Sequence, residues 1–171
     1  MSDSPGSKAL RYGRFSQPGQ IYLVTTVTHQ RTPIFRNVRA ARTVINAMRH
    51  YHVSGKAQTW CYVVMPDHLH WLVQLGESLK LAALVRSMKT YTAREINQRR
   101  RIQGRNVWQS GYHDHAVRQT ENLRQLARYT IENPVRAGIV EDIKDYPHWD
   151  AWWFHPDRTQ PMHASLSGLN D

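Results

Sequence analysis

The sequence predicts an α+β fold: a ferredoxin-like split βαβ arrangement with an antiparallel sheet, helices packed on it and an extra C-terminal helix. Three observations carry this. First, runs of strand length rich in β-branched and aromatic residues occur at 20–29, 57–65, 68–75 and 112–117. Second, apolar residues recur at helical spacing between the first and second runs and again between the third and fourth. Third, only Pro66 and Asp67 separate the two middle runs, which is too short for a parallel crossover, so they form an antiparallel hairpin. With a further helix after the fourth run, the order becomes β-α-β-β-α-β-α, a split βαβ unit plus one helix.

The chain has 171 residues, 23 Lys+Arg against 13 Asp+Glu, and a formal net charge of +10. The length suits one domain with a real core, spanning 20–154. The charge favours a polyanionic partner, nucleic acid first. No apolar run is long enough to span a bilayer, and the N-terminus has no secretory apolar run, so neither a membrane role nor secretion is expected. Cys61 is the single cysteine, which rules out an intrachain disulfide and a Cys-based zinc site and fits a reducing cytoplasm. There is no internal repeat, P-loop or dinucleotide fingerprint, so no nucleotide cofactor is expected.

Residues 1–19, with Ser, Gly, Pro and basic side chains, read as a flexible lead-in, where Arg11 and Arg14 either touch phosphate or stay solvated. QIYLVTTVTH, 20–29, is the first strand, ended by Arg31-Thr32-Pro33. Val38, Ala41, Ile45 and Met48 set one face of a helix over 38–51, with Arg39, Arg42 and Arg49 on the other and Ser54-Gly55 closing it. AQTWCYVVM, 57–65, is an apolar strand in which Cys61 is inert core. Ser78 is the expected cap of a long second helix running to Arg101. Leu81, Leu84, Val85, Met88 and Ile96 face its core, and Arg86, Lys89, Arg94, Arg99 and Arg100 belong to a basic face. That face is either solvated or a phosphate track.

Gly104–Gly111 is a loop containing Trp108, and 112–117 is the fourth strand. Leu123, Leu126, Ala127 and Ile131 mark a third helix over 121–133, which Pro134 ends or bends. Asn133 could cap a short helix beginning at Pro134. Trp149, Trp152 and Trp153 are expected in the core rather than as a stacking platform, and 155–171 reads as a mobile tail.

The chemistry centres on MPDHLHWLV, 65–73. Side chains on a strand alternate faces, so His68 and His70 share one and could grip a single metal ion. A half-exposed polar face would show the same pattern. Tyr129 and Asn133 stand four apart, one turn on a continuous helix. If that helix packs near the third strand, a divalent ion on His68, His70 and the Asn133 oxygen would keep open positions for phosphate oxygens, with Tyr129 as nucleophile. About one free tyrosine in a thousand is phenolate at neutral pH, so a nearby cation would be needed to help it ionise. Tyr129 at the edge of the core and Asn133 as a cap are the competing roles. His113 and His115 share a strand face and are either partners that steady a ligand or phosphate, or satisfied strand histidines. Trp108 and Tyr112, on or beside a loop, are the candidates for stacking on bases.

MPDHLHWLV resembles the HUH motif of the single-tyrosine transposases. With Trp108-Gln109, YHDHAVR at 112–118 and YTIENPVRAG at 129–138, the chain resembles one branch, the REP-associated tyrosine transposases, over roughly residues 10–153. The resemblance implies an HUH-type fold whose extra helix carries the tyrosine. It implies metal-dependent cleavage and rejoining of single-stranded DNA at REP-type hairpins through a 5′-phosphotyrosine. Tyr129 would be the nucleophile, His68, His70 and Asn133 the ligands, and Mg²⁺ or Mn²⁺ the ion. A bacterial, cytoplasmic, nucleoid-associated monomer is the matching expectation. Two alternatives stay open: a non-catalytic hairpin-binding module that works through its basic face, and, more weakly, a histidine-dependent phosphohydrolase.

Overall fold

The computed structural model describes residues 16–151, so Arg11, Arg14, the aromatic residues 152–154 and the 155–171 tail lie outside the described residues. In chain order the elements are β1 (Ile21–Val27), α1 (Val38–Val53), β2 (Ala57–Met65), β3 (His68–Leu75), α2 (Leu81–Arg99), β4 (His113–Ala116), α3 (Leu123–Ile131), α4 (Asn133–Arg136) and β5 (Trp149–Ala151). The sheet order is β4-β1-β3-β2-β5, with every neighbouring pair antiparallel. The first four strands therefore make the expected split βαβ sheet. β5 was not expected; it extends the sheet beyond β2, pairing Trp149 with Val63 and Ala151 with Cys61.

Alternation along the strands divides the molecule into two layers. Tyr22, Val24, Leu69, Trp71 and Val73 point to the side covered by α1 and α2, where Val44, Met48, Leu84 and Met88 complete the larger core. On the opposite face, Leu72 and Cys61 pack with Ala127 and Ile131 of α3 and Ala151 of β5. Burial pushes the Cys61 thiol well above its ordinary range, in keeping with an inert core residue.

Several helix ends differ from expectation. Ser78 does not cap α2; Lys80 holds the N-cap position without a side-chain bond. The Leu81 amide instead donates to Ser16 Oγ at 3.2 Å, brought there because Gly19 is hydrogen-bonded to Leu75 and Gln74. α2 ends at Arg99, followed by 5→2 and 6→1 bonds from Arg101 to Gln98 and from Ile102 to Asn97, with Arg101 at φ 54° where glycine is the usual residue. Asn122 caps α3 through Gln125. Asn133 is not a cap: it is the first residue of α4, and its Nδ2 donates to Thr130 O. At the far end of β3, a Cβ on Gly76 would lie 2.6 Å from Gly55 O, so only glycine fits between the strand and the α1–β2 turn.

Candidate active site

The Pro66-Asp67 turn delivers β3 so that His68 and His70 emerge on the α3 side of the sheet, in the same file as Leu72. Their ring centroids lie 4.8 Å apart with the planes nearly perpendicular, at 88°. Each ring is held through Nδ1. His68 Nδ1 lies 2.6 Å from Asp67 Oδ1, and Asp67 in turn accepts from Arg31 at 3.1 Å. His70 Nδ1 lies 2.8 Å from Thr25 Oγ1, its register partner on β1. Fixing Nδ1 selects the ring orientation and directs Nε2 outward, the usual preparation of an imidazole that ligates through Nε2.

The electrostatics agree with this arrangement. His70 is held down to about 4, by burial first and then by His68 and Arg136, so its imidazole is neutral at physiological pH. Burial alone would raise Asp67, but its hydrogen bonds and charge interactions with His68 and Arg31 outweigh that and lower it. Gln30 and Arg31 both have left-handed backbones, at φ 52° and 51°. Two successive non-glycine residues in that region cost energy, and here the strained link aims Arg31 at Asp67.

Across Thr25 from His70 lies His113, its partner in the β1–β4 register, on the same face and exposed. His115 is one file further along, and its Nε2 pairs with the Glu121 carboxylate at 2.9 Å. That pair closes the turn after β4, so the His115 ring is committed there rather than to the histidine pair.

α3 packs on this same face through Ala127 and Ile131. Tyr129 lies two residues from each, on the side of the helix turned away from the sheet, and is 62% exposed. The Arg136 guanidinium stacks 3.8 Å over its ring and donates to Tyr129 O at 2.6 Å. α3 stops at Ile131 and α4 begins at Asn133, so Tyr129 and Asn133 do not share one continuous helical face. The Asn133 amide nitrogen is used by Thr130 O, which leaves Oδ1 as the atom available to a cation.

Among the described residues, no three His, Cys, Asp or Glu side chains form a metal cluster. Imidazole nitrogens and an amide oxygen are nonetheless donor types that a divalent ion accepts.

The predicted DNA contacts divide. Arg86, Arg94, Arg99 and Arg100 are exposed along α2. Lys89 is not an open cation: its ammonium donates to Gln109 O and Gly111 O at 2.5 and 2.6 Å, pinning the loop before β4. Trp108 is not a stacking platform. It is 7% exposed, tilts against Phe35 at 5.1 Å between ring centroids and donates to Thr92 Oγ1. Tyr112 is half-buried and lines a cleft of about 550 Å³ with Arg86, Arg105 and His29. Sequence reasoning missed Thr25, Asp67, Arg31 and Arg136. Asp67 was legible as the neighbour of His68, whereas Thr25 and Arg136 emerge only from register and from the α3–α4 fold-back.

A split βαβ sheet with paired, pre-oriented imidazoles on the face that carries a tyrosine-bearing helix has the architecture of single-tyrosine DNA transposases. The chain belongs to the IS200-like transposase family, whose sequence profile matches residues 16–133. A Haemophilus influenzae protein, provisionally named a REP-associated tyrosine transposase, is 27% identical over 158 residues, covering 85% of this chain and 86% of its own. The REP-associated tyrosine transposase of Escherichia coli is 28% identical over 88 residues, half of this chain. The solved structure of a REP-associated tyrosine transposase bound to a REP hairpin superposes with a TM-score of 0.65 at 22% identity, covering 81% of each chain, and shows the fold in common. No described helix is long and apolar enough to cross a membrane.

Proposed function

We propose that this chain is a metal-dependent single-strand DNA endonuclease and strand transferase acting at REP-type hairpins. The observation that carries the proposal is the pair His68 and His70, each fixed through Nδ1 with Nε2 left open. His68, His70 and the Asn133 oxygen would hold Mg²⁺ or Mn²⁺. When bound, such an ion polarises a scissile phosphodiester and stabilises charge on the leaving oxygen.

The chain's own residues supply the rest. Asp67 and Thr25 keep the imidazoles oriented. Tyr129 Oη, having lost its proton, attacks phosphorus; the Oη–P bond forms, the P–O3′ bond breaks, and the 3′ oxygen takes up a proton. The product is a 5′-phosphotyrosine with a free 3′-OH, and the reverse attack rejoins strands without an external energy source. Arg86 and Arg94 along α2 contribute phosphate contacts, and Tyr112 in its cleft is placed to meet an unpaired base.

A second reading has its own support: Tyr129 is exposed and stacked under Arg136, turned from the sheet. A non-catalytic hairpin-binding module would leave it so. One experiment decides between them. A labelled single-stranded oligonucleotide carrying a REP-type hairpin is incubated with the protein and Mn²⁺ and resolved on a denaturing gel. Cleavage with a covalent protein–DNA adduct that vanishes in Tyr129→Phe supports the enzyme; tight binding without cleavage supports the module.

A further inference from the structure

The groove between the start of α1 and the end of α2 carries an inference furthest. It holds about 550 Å³, and its rim bears Arg36 and Arg39 on one bank and Arg99 and Arg100 on the other. Exposed Pro33 and half-buried Ile34 contribute the open apolar surface, over a floor of buried Ala40 and Ile96. Among the described residues no acidic side chain lines it, and none of these four guanidiniums is ion-paired.

On the α1 bank the charge sits where the fold does not favour it. Arg39 lies in the first turn of α1, which has no acidic residue, so it opposes the positive end of the helix dipole. Next to Arg99 and Arg100, Arg101 holds a left-handed backbone that favours glycine. An anion in the groove would offset the first; Arg99 and Arg100, at the C-terminal end of α2, are favoured by its dipole.

A segment that lines the groove is also bonded to the turn before the histidine pair. Phe35 N donates to Pro66 O, and Thr28 N donates to Asp67 O, so the segment from Thr28 to Arg36 wraps the corner that precedes His68. Exposed Arg31 stands on that segment and is bonded to Asp67. A backbone leaving the histidine face would meet Arg31, then Arg36, and then both banks.

We infer that this arginine-lined groove holds the single-stranded DNA that continues from the cleavage site, with phosphates on the four guanidiniums and unpaired bases over Pro33 and Ile34. An apolar strip between cationic banks suits unpaired bases, whereas a duplex keeps its bases stacked inside. The inference rests on the reading of the chain as a single-strand nuclease, and it assigns a place to the flank.

The test measures binding alone, in a Tyr129→Phe background. Two oligonucleotides are compared, a hairpin with a single-stranded flank and the same hairpin made blunt, over several salt concentrations. For the flanked DNA, Arg36→Gln with Arg39→Gln should reduce the slope of log affinity against log salt by about 1.4, from about 0.7 per lost phosphate contact. Arg36→Lys with Arg39→Lys should restore it, and the blunt hairpin should not change. On the unsubstituted chain, the flanked DNA should protect Arg36 and Arg39 from phenylglyoxal, read by mass spectrometry. An unchanged slope, an equal loss on both DNAs, or the absence of protection overturns the inference. Failure of the nuclease reading shows separately, as no Mn²⁺-dependent cleavage by the unsubstituted protein.

Discussion

The two halves of the proposed catalytic constellation are built to different standards. His68 and His70 lie on an inner strand, paired on both sides, with each ring bonded through Nδ1 to a residue that is itself held. Tyr129 lies on a nine-residue helix, more than half exposed, with a stacked arginine as its neighbour. A cation site needs its donors fixed before the ion arrives, because misplaced ligands lose affinity steeply. A nucleophile that must attack, stay attached to one strand and later be attacked by another 3′-OH gains from a mobile mount. The rigid half is written into the sheet and the adjustable half is added after it.

The largest break in this comparison comes from removing either half. Tyr129→Phe should abolish cleavage and leave hairpin binding within a few-fold, since one phenol oxygen is lost and the basic surface stays. His68→Ala should also abolish cleavage, with loss of measurable Mn²⁺ binding by calorimetry. An adduct formed by Tyr129→Phe would reassign the nucleophile, and full activity in excess chelator would remove the metal from the proposal.

Stability separates the two faces of α3. Ile131 is fully buried against Leu72 and Cys61, so Ile131→Ala should cost about 2–5 kcal/mol in denaturant unfolding. Tyr129→Ala, two residues away on the exposed face, should stay within about 0.5 kcal/mol beyond the loss of its stack. Equal losses would mean that Tyr129 is a packing residue.

The supports of the rigid half come next. Thr25→Val removes the partner of His70 Nδ1 and keeps the β-branched shape, and should weaken Mn²⁺ affinity about 10- to 100-fold with the melting temperature nearly unchanged. Asp67→Asn should act similarly through His68. Unaltered affinity in both would show that the imidazoles are positioned by the strand alone.

What the sequence disclosed follows the same division. The bounds of β2 and β3 match the expected 57–65 and 68–75, because Pro66-Asp67 marks the turn and a period of two marks the faces. That His68 and His70 share a face needed no tertiary information. Thr25 could not be found this way, because its role depends on which residue the β1–β3 register sets opposite His70. Trp108 misled for a related reason: a loop position suggests exposure, but Phe35 and Thr92, far apart in the chain, enclose it. β5 is three residues long and exists through its pairing with β2, so no local pattern announces it. Ser78 stands where a cap is expected, but the oxygen that binds the Leu81 amide comes from Ser16, across the sheet end.

The smallest expected effect probes how firmly the adjustable half is held. Arg136 makes two contacts with Tyr129, a stack on the ring and a bond to its carbonyl. A cation–π stack at an exposed site contributes about 0.5–1 kcal/mol, a population ratio of about two- to fivefold. Arg136→Gln removes the stack and keeps a donor of shorter reach. Where Tyr129 must leave the stack to meet phosphorus, the substitution should raise the single-turnover cleavage rate about two- to fivefold. Where the guanidinium also binds the scissile phosphate, that gain is offset by a weaker DNA affinity. Measuring rate at saturating DNA and affinity separately resolves the two contributions. A rate at saturation that falls in Arg136→Gln would show that the stacked position of Tyr129 is the productive one, and the mobile half of the comparison would have to be abandoned.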